Sequence, residues 1–179
     1  MAVLSSFEVL AEFLVPSGVL PPGAVNPFAI QGLWVQVSLP PGGPQSVNFN
    51  LTYQETTDFN QGAGQKALQA QVIDASGNVN FYDNFFASTG RGFLNQKIGV
   101  GQTLIYGVQC LPQLSSADAA QPQNGTGWRG MVQLSSTSTG SLIATPTQRL
   151  VYYSGPDITK APIDAVVYAV PTASGGTAI

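Results

Sequence analysis

Over several short stretches the chain alternates apolar and polar residues one by one, and that period of two marks half-buried β-strands. Val47, Phe49, Leu51 and Tyr53 alternate strictly with Asn48, Asn50, Thr52 and Gln54. Leu33, Val35, Val37 and Leu39 alternate with Gly32, Trp34, Gln36 and Ser38, until Pro40-Pro41-Gly42-Gly43-Pro44 breaks the run. Trp128, Gly130, Val132 and Leu134 share one face of another strand, and Leu104, Tyr106, Val108 and Cys110 one face of a fourth. Residues 68–73 and 79–85 flank Asp74-Ala75-Ser76-Gly77-Asn78. This predicts a hairpin, because Gly77 and Asn78 tolerate positive φ. Strands are also expected over 141–144 and 148–153, with Pro146 interrupting the pairing between them, and over 165–170. Residues 115–127 read as a polar loop.

The N-terminal segment carries two patterns. As a strand it places Phe7, Val9, Ala11, Phe13 and Val15 on one apolar face. As a helix it groups Phe7, Leu10, Ala11 and Leu14, with Ser5 and Glu8 as a capping box and Pro16 beyond the end. Glu8 and Glu12, four apart, repel on a helix, and the strand is favoured. Met1 to Val15 lacks the Lys or Arg and the cleavage site of a secretory signal.

Eight or more strands with almost no helical periodicity predict an all-β fold, a single antiparallel β-sandwich of jelly-roll or immunoglobulin-like type. The expected division is 1–27 as an apolar segment and Pro/Gly-rich linker, 28–171 as the sandwich, and 172–179 as a Gly/Ser-rich tail. The first segment is suited to strand exchange with a neighbour, since its apolar face needs cover from water.

Composition narrows the function. Charged residues are 8% of the 179, against about 25% in an average soluble domain. The surface is therefore polar but nearly uncharged, as suits an extracellular, cell-surface or virion protein. The net charge of −3 and the absence of a basic cluster exclude the phosphate neutralisation on which nucleic-acid binding depends. No apolar run reaches the roughly 20 residues of a membrane helix. Cys110 is the single cysteine, so no intrachain disulfide forms, and its place on an apolar strand face predicts a buried thiol.

The chain has no histidine, which removes the commonest general base and metal ligand. No zinc cluster or Ser-His-Asp triad is available, and neither a cofactor nor a metal is expected. Glu55 and Asp58 are close in sequence but read as a loop rather than as a pair flanking a bond. Asp74, Ser76, Asn78 and Asn80 follow the first spacings of a calcium loop. Val79 and Phe85 then occupy the places of its Gly and Glu, so a plain turn is expected. Gly99-Val100-Gly101-Gln102-Thr103 lacks a phosphate-loop Lys and is a turn.

Asn50 and Asn124 begin Asn-x-Ser/Thr sequons, both at accessible places. Trp34, on the polar face of its strand, is the candidate sugar contact, with Phe28, Trp128, Tyr152, Tyr153, Gln31 and Gln36 as companions. The sequence thus favours a non-enzymatic structural subunit that self-associates into an extracellular filament, surface assembly or virion, with residues 7–15 as an assembly strand. A carbohydrate-binding or adhesive module is the alternative. Copies of itself are the expected partner and glycans the second.

Overall fold

The computed structural model describes residues 2–16, 18–55, 68–82, 92–110, 128–138 and 140–173. They form ten strands, with no helix among the described residues. These are β1 (Ala2–Phe13), β2 (Phe28–Ser38), β3 (Ser46–Glu55), β4 (Leu68–Ile73), β5 (Val79–Tyr82), β6 (Gly92–Gly99), β7 (Thr103–Cys110), β8 (Trp128–Ser136), β9 (Ile143–Tyr153) and β10 (Asp164–Ala169). All pairings are antiparallel.

The first eight strands pair as a nested series. β4 meets β5, β3 meets β6, β2 meets β7 and β1 meets β8. Side by side their order is β5-β4-β7-β2-β1-β8-β3-β6, while β9 adds to the other edge of β2 and β10 to β9. The sheet curls until its two ends face each other. Phe49 of β3 and Phe93 of β6 pack on Tyr106 of β7, with ring centroids 5.8 and 4.8 Å apart. Around them Leu4, Phe7, Val35, Val37, Leu51, Tyr53, Ile98, Val132 and Leu134 belong to one buried cluster.

The N-terminal segment is a strand, and it lies in the middle of the sheet. Residues 2–9 of β1 pair with β8 and residues 10–13 with β2, so both ladders run within one chain. Phe7, Val9 and Ala11 are buried in that chain's own core, Phe13 is exposed, and Val15 lies beyond the strand. A register shift between Val3 and Ser5 changes the phase, which turns both Leu4 and Phe7 inward. The Pro/Gly-rich stretch after β1 is the loop that joins it to β2. Leu14 N donates to the Pro27 carbonyl, and the Asn26 side chain bonds both the N–H and the C=O of Val15, at 3.1 and 2.7 Å. At the other end, Thr172 is buried and Ala173 N donates to the Leu4 carbonyl.

Three strands differ from the periodicity. β2 is buried on both sides, with Leu33, Val35 and Val37 facing one way and Phe28, Ile30 and Trp34 the other. β6 was not foreseen. Its buried Phe93 and Ile98 are five residues apart because the strand bulges opposite Asn50, where Asn95 takes a φ of 53°. β9 runs unbroken through Pro146, contrary to the expected interruption. The Pro146 carbonyl accepts from Val170 N, on the β10 side. A residue's N and C=O point to the same side of a strand, so the missing N–H costs the β2 ladder nothing.

Candidate functional site

Trp34 keeps the strand face expected of it but not the exposure. It is 5% exposed, its ring lying over Gly107 and Gly32 with the Arg149 guanidinium 4.5 Å from its centroid. A Cβ at Gly107 would stand 2.4 Å from Trp34 Nε1, and one at Gly32 2.5 Å from its Cζ3, so the ring needs two glycines beneath it. Burial lowers the pKa of Arg149. The stacking face a sugar would use is occupied by that guanidinium. Phe28 is fully buried and Tyr152 and Tyr153 are half-buried, so no aromatic platform forms from them.

Asn50 is half-buried and serves the bulge. Its Oδ1 accepts from Asn95 N at 2.8 Å, and its Nδ2 reaches Ser135 Oγ at 3.4 Å. Asn48, Asn95, Ser136 and Thr137 line a shallow hollow of about 190 Å³ beside it. Asn124 and Asp58 lie outside the described residues. Glu55 ends β3, and Cys110 ends β7 in register with Leu68.

The described carboxylates do not converge. Asp74 Oδ1 accepts from Ser76 N and Asn78 N, and its Oδ2 from Asn78 Nδ2. Those bonds hold its carboxyl below the ordinary value and make the 74–78 segment the expected turn, with Gly77 at φ 85°. Asp157 bonds Thr159 and pairs with Lys160, while Asp164 caps its own strand through Ala165 N. No group of three or more His, Cys, Asp or Glu fit to hold a metal occurs among the described residues. The 99–103 segment is a turn, closed by Gln102 N on the Gly99 carbonyl with Gly101 at φ 76°.

Two features stand out instead. The first is a depression of about 410 Å³ between the β1/β8 and β2/β9 ladders. Ser6, Glu8, Gln31, Arg129 and Gln148 line it. Arg129 Nε donates to Glu8 Oε1 at 2.7 Å, and Gln31 Nε2 to the Glu8 carbonyl at 2.9 Å. Gln148 is 6% exposed, and its Oε1 accepts no hydrogen bond. Sequence reading missed this group because its members sit on four strands, and only pairing unites them. Gly130 lies below: a Cβ there would meet the Gln54 carbonyl at 2.3 Å and Phe7 Cζ at 2.9 Å.

The second is β10. Every residue of the strand is exposed, Val167 by 61%, and one edge pairs with β9 while the other meets no strand among the described residues. With Val170 N bonded to β9, alternation turns the N–H and C=O groups of Ala165, Val167 and Ala169 outward. No helix among the described residues is long and apolar enough to cross a membrane. Compared with models of known protein families and with characterised proteins, the chain matches none of them.

Proposed function

We propose that this chain is a non-enzymatic structural subunit, a jelly-roll β-sandwich that associates with copies of itself in an extracellular, cell-surface or virion assembly. The nested pairing supports the fold. A ribbon of β1 to β4 against β5 to β8, rolled so that β1-β8-β3-β6 and β2-β7-β4-β5 form two layers, is the arrangement of two Greek keys. That fold serves capsid and lectin proteins alike, so function lies in the surfaces it carries.

The observation that carries self-association is the open edge of β10. An exposed apolar edge strand is a template for another strand, and proteins that stay monomeric blunt such edges with Lys, Pro or cover. β10 has Val166, Val167 and Tyr168 in the open and neither Lys nor Pro in the strand. The low surface charge also lets neighbours pack without stripping water from ions. Exchange of β1 between copies is a second route, since an exchanged strand would occupy the same ladders.

Sedimentation velocity and negative-stain microscopy of the full chain test the reading. Wild type is expected to assemble with rising concentration. Val167→Lys is expected to remain folded by circular dichroism and to sediment as a monomer. A wild type that stays monomeric, or a Val167→Lys variant that assembles as before, overturns the edge reading. Normal assembly by a chain whose β1 is tethered to β8 through a Val3→Cys, Gln133→Cys disulfide, across a register pair whose Val3 is exposed, excludes strand exchange, and unfolding of that variant is resolved by its dichroism.

A further inference from the structure

We propose that the depression lined by Glu8, Gln31, Arg129 and Gln148 binds one unit of a neutral, hydroxyl-rich ligand such as a saccharide. This is independent of self-association through β10. Gln148 is the first ground. A carboxamide this deeply buried normally has its oxygen bonded, and leaving it orphaned costs about 1–3 kcal/mol of desolvation. Here Oε1 lacks a donor, while Arg129 Nε is bonded to Glu8 Oε1 and Gln31 Nε2 to the Glu8 carbonyl. The last torsion of a glutamine side chain is broad, so its amide turns toward an arriving donor at little cost.

The lining sets the ligand class. Its one carboxylate and one guanidinium neutralise each other at 2.7 Å, so a charged guest would bring a charge without a counter-charge. The lining offers acceptors in Gln148 Oε1, in the Gln31 carboxamide oxygen, whose nitrogen bonds the Glu8 carbonyl, and in the Glu8 carboxylate, beside the N–H donors of the Gln148 amide. Ser6 adds a hydroxyl that both donates and accepts. Adjacent hydroxyls of a sugar both donate and accept, which suits such a lining. A volume of about 410 Å³ falls within the small-ligand range and accommodates a single ring. The site needs no stacking aromatic, consistent with a covered Trp34.

The test is titration of the ¹⁵N-labelled full chain with glucose, galactose, mannose and N-acetylglucosamine, followed by amide shifts. At least one sugar is expected to shift Gln31, Gly130 and Gln148 together, with a dissociation constant on the order of millimolar. Gln148→Leu is expected to weaken that binding at least about tenfold while thermal stability holds or rises, because the orphaned oxygen is gone. Gln31→Met serves as a second variant should Gln148→Leu fail to fold, and is expected to weaken binding likewise. No shift with any of the four sugars overturns the proposal, as does binding that survives in the folded variants. Shifts at these amides with 1,5-diaminopentane but with no sugar overturn the ligand class.

Discussion

Replacing Gly107 with Ala tests the packing on which the middle of the sheet depends. The new Cβ would lie 2.4 Å from Trp34 Nε1 and 2.8 Å from both Cδ1 and Cε2. Carbon contacts are comfortable near 3.5 Å, so the ring must retreat by about 1 Å. It has little room to do so. Arg149 lies over it, and Gly32 already brings backbone to its far edge. Overpacking of this kind costs about 1–3 kcal/mol. Exchanging Gly for Ala in a strand returns roughly 0.5–1 kcal/mol. A net loss of about 1–2 kcal/mol is expected from urea unfolding curves. The control is the same change in a Trp34→Leu background, where the obstacle is absent and Gly107→Ala should be neutral or slightly stabilising. The two substitutions should therefore couple by at least about 1 kcal/mol. Equal effects of Gly107→Ala in both backgrounds would refute the packing account.

Other expectations follow from the core, the turns and β1. Tyr53 and Tyr106 are held well above the ordinary phenol range chiefly by burial, so the folded chain keeps them neutral while the unfolded chain ionises near pH 10. Their contribution to stability is complete below about pH 10 and declines above it, and an alkaline absorbance titration should show them ionising only with unfolding. The Asp74 carboxyl is held low by its bonds to Asn78 and Ser76, so its support of the hairpin is present above the ordinary Asp pKa and fades as pH falls through the depressed value. Side-chain carbon shifts with a midpoint at the ordinary value would contradict this. Asn50→Ala should cost about 1 kcal/mol in thermal unfolding by leaving Asn95 N without its acceptor, whereas Asn95→Gly should be tolerated. Deleting residues 1–15 should leave a chain that does not fold, because Leu4, Phe7, Val9 and Ala11 go with it, and a cooperative unfolding transition in that deletion would show β1 to be dispensable.

Strand identity was legible wherever the period of two is undisturbed. Val47 to Tyr53 and Trp128 to Leu134 fall in β3 and β8 as the alternation predicts. It failed where one extra residue breaks the phase. The bulge at Asn95 puts Phe93 and Ile98 on one side at an odd spacing, and nothing local marks that run as a strand. Pro146 misled for a related reason. Proline removes a hydrogen bond from one side of a strand only, and the chain alone does not say which side. Trp34 was placed on the correct face, but polarity alternation describes one strand, whereas its burial depends on Gly107 of β7 and Arg149 of β9, the strands that flank β2. The same limit hid the Glu8–Arg129 pair, 121 residues apart along the chain.

Nesting of the pairs has a consequence for synthesis. β4 and β5 are joined by a short turn and close as soon as both exist, whereas each outer pair encloses a longer stretch of chain. Closing a longer loop costs more entropy, so the ribbon zips from its centre outward and β1 is secured last. Yet β1 is the first of these ten strands to leave the ribosome, and its partner β8 follows more than a hundred residues later. For that interval residues 2–9 of β1 wait without the β8 ladder that they fill in the folded chain. The rate at which residues 14–127 are translated therefore sets how long β1 is open to capture by the wrong copy.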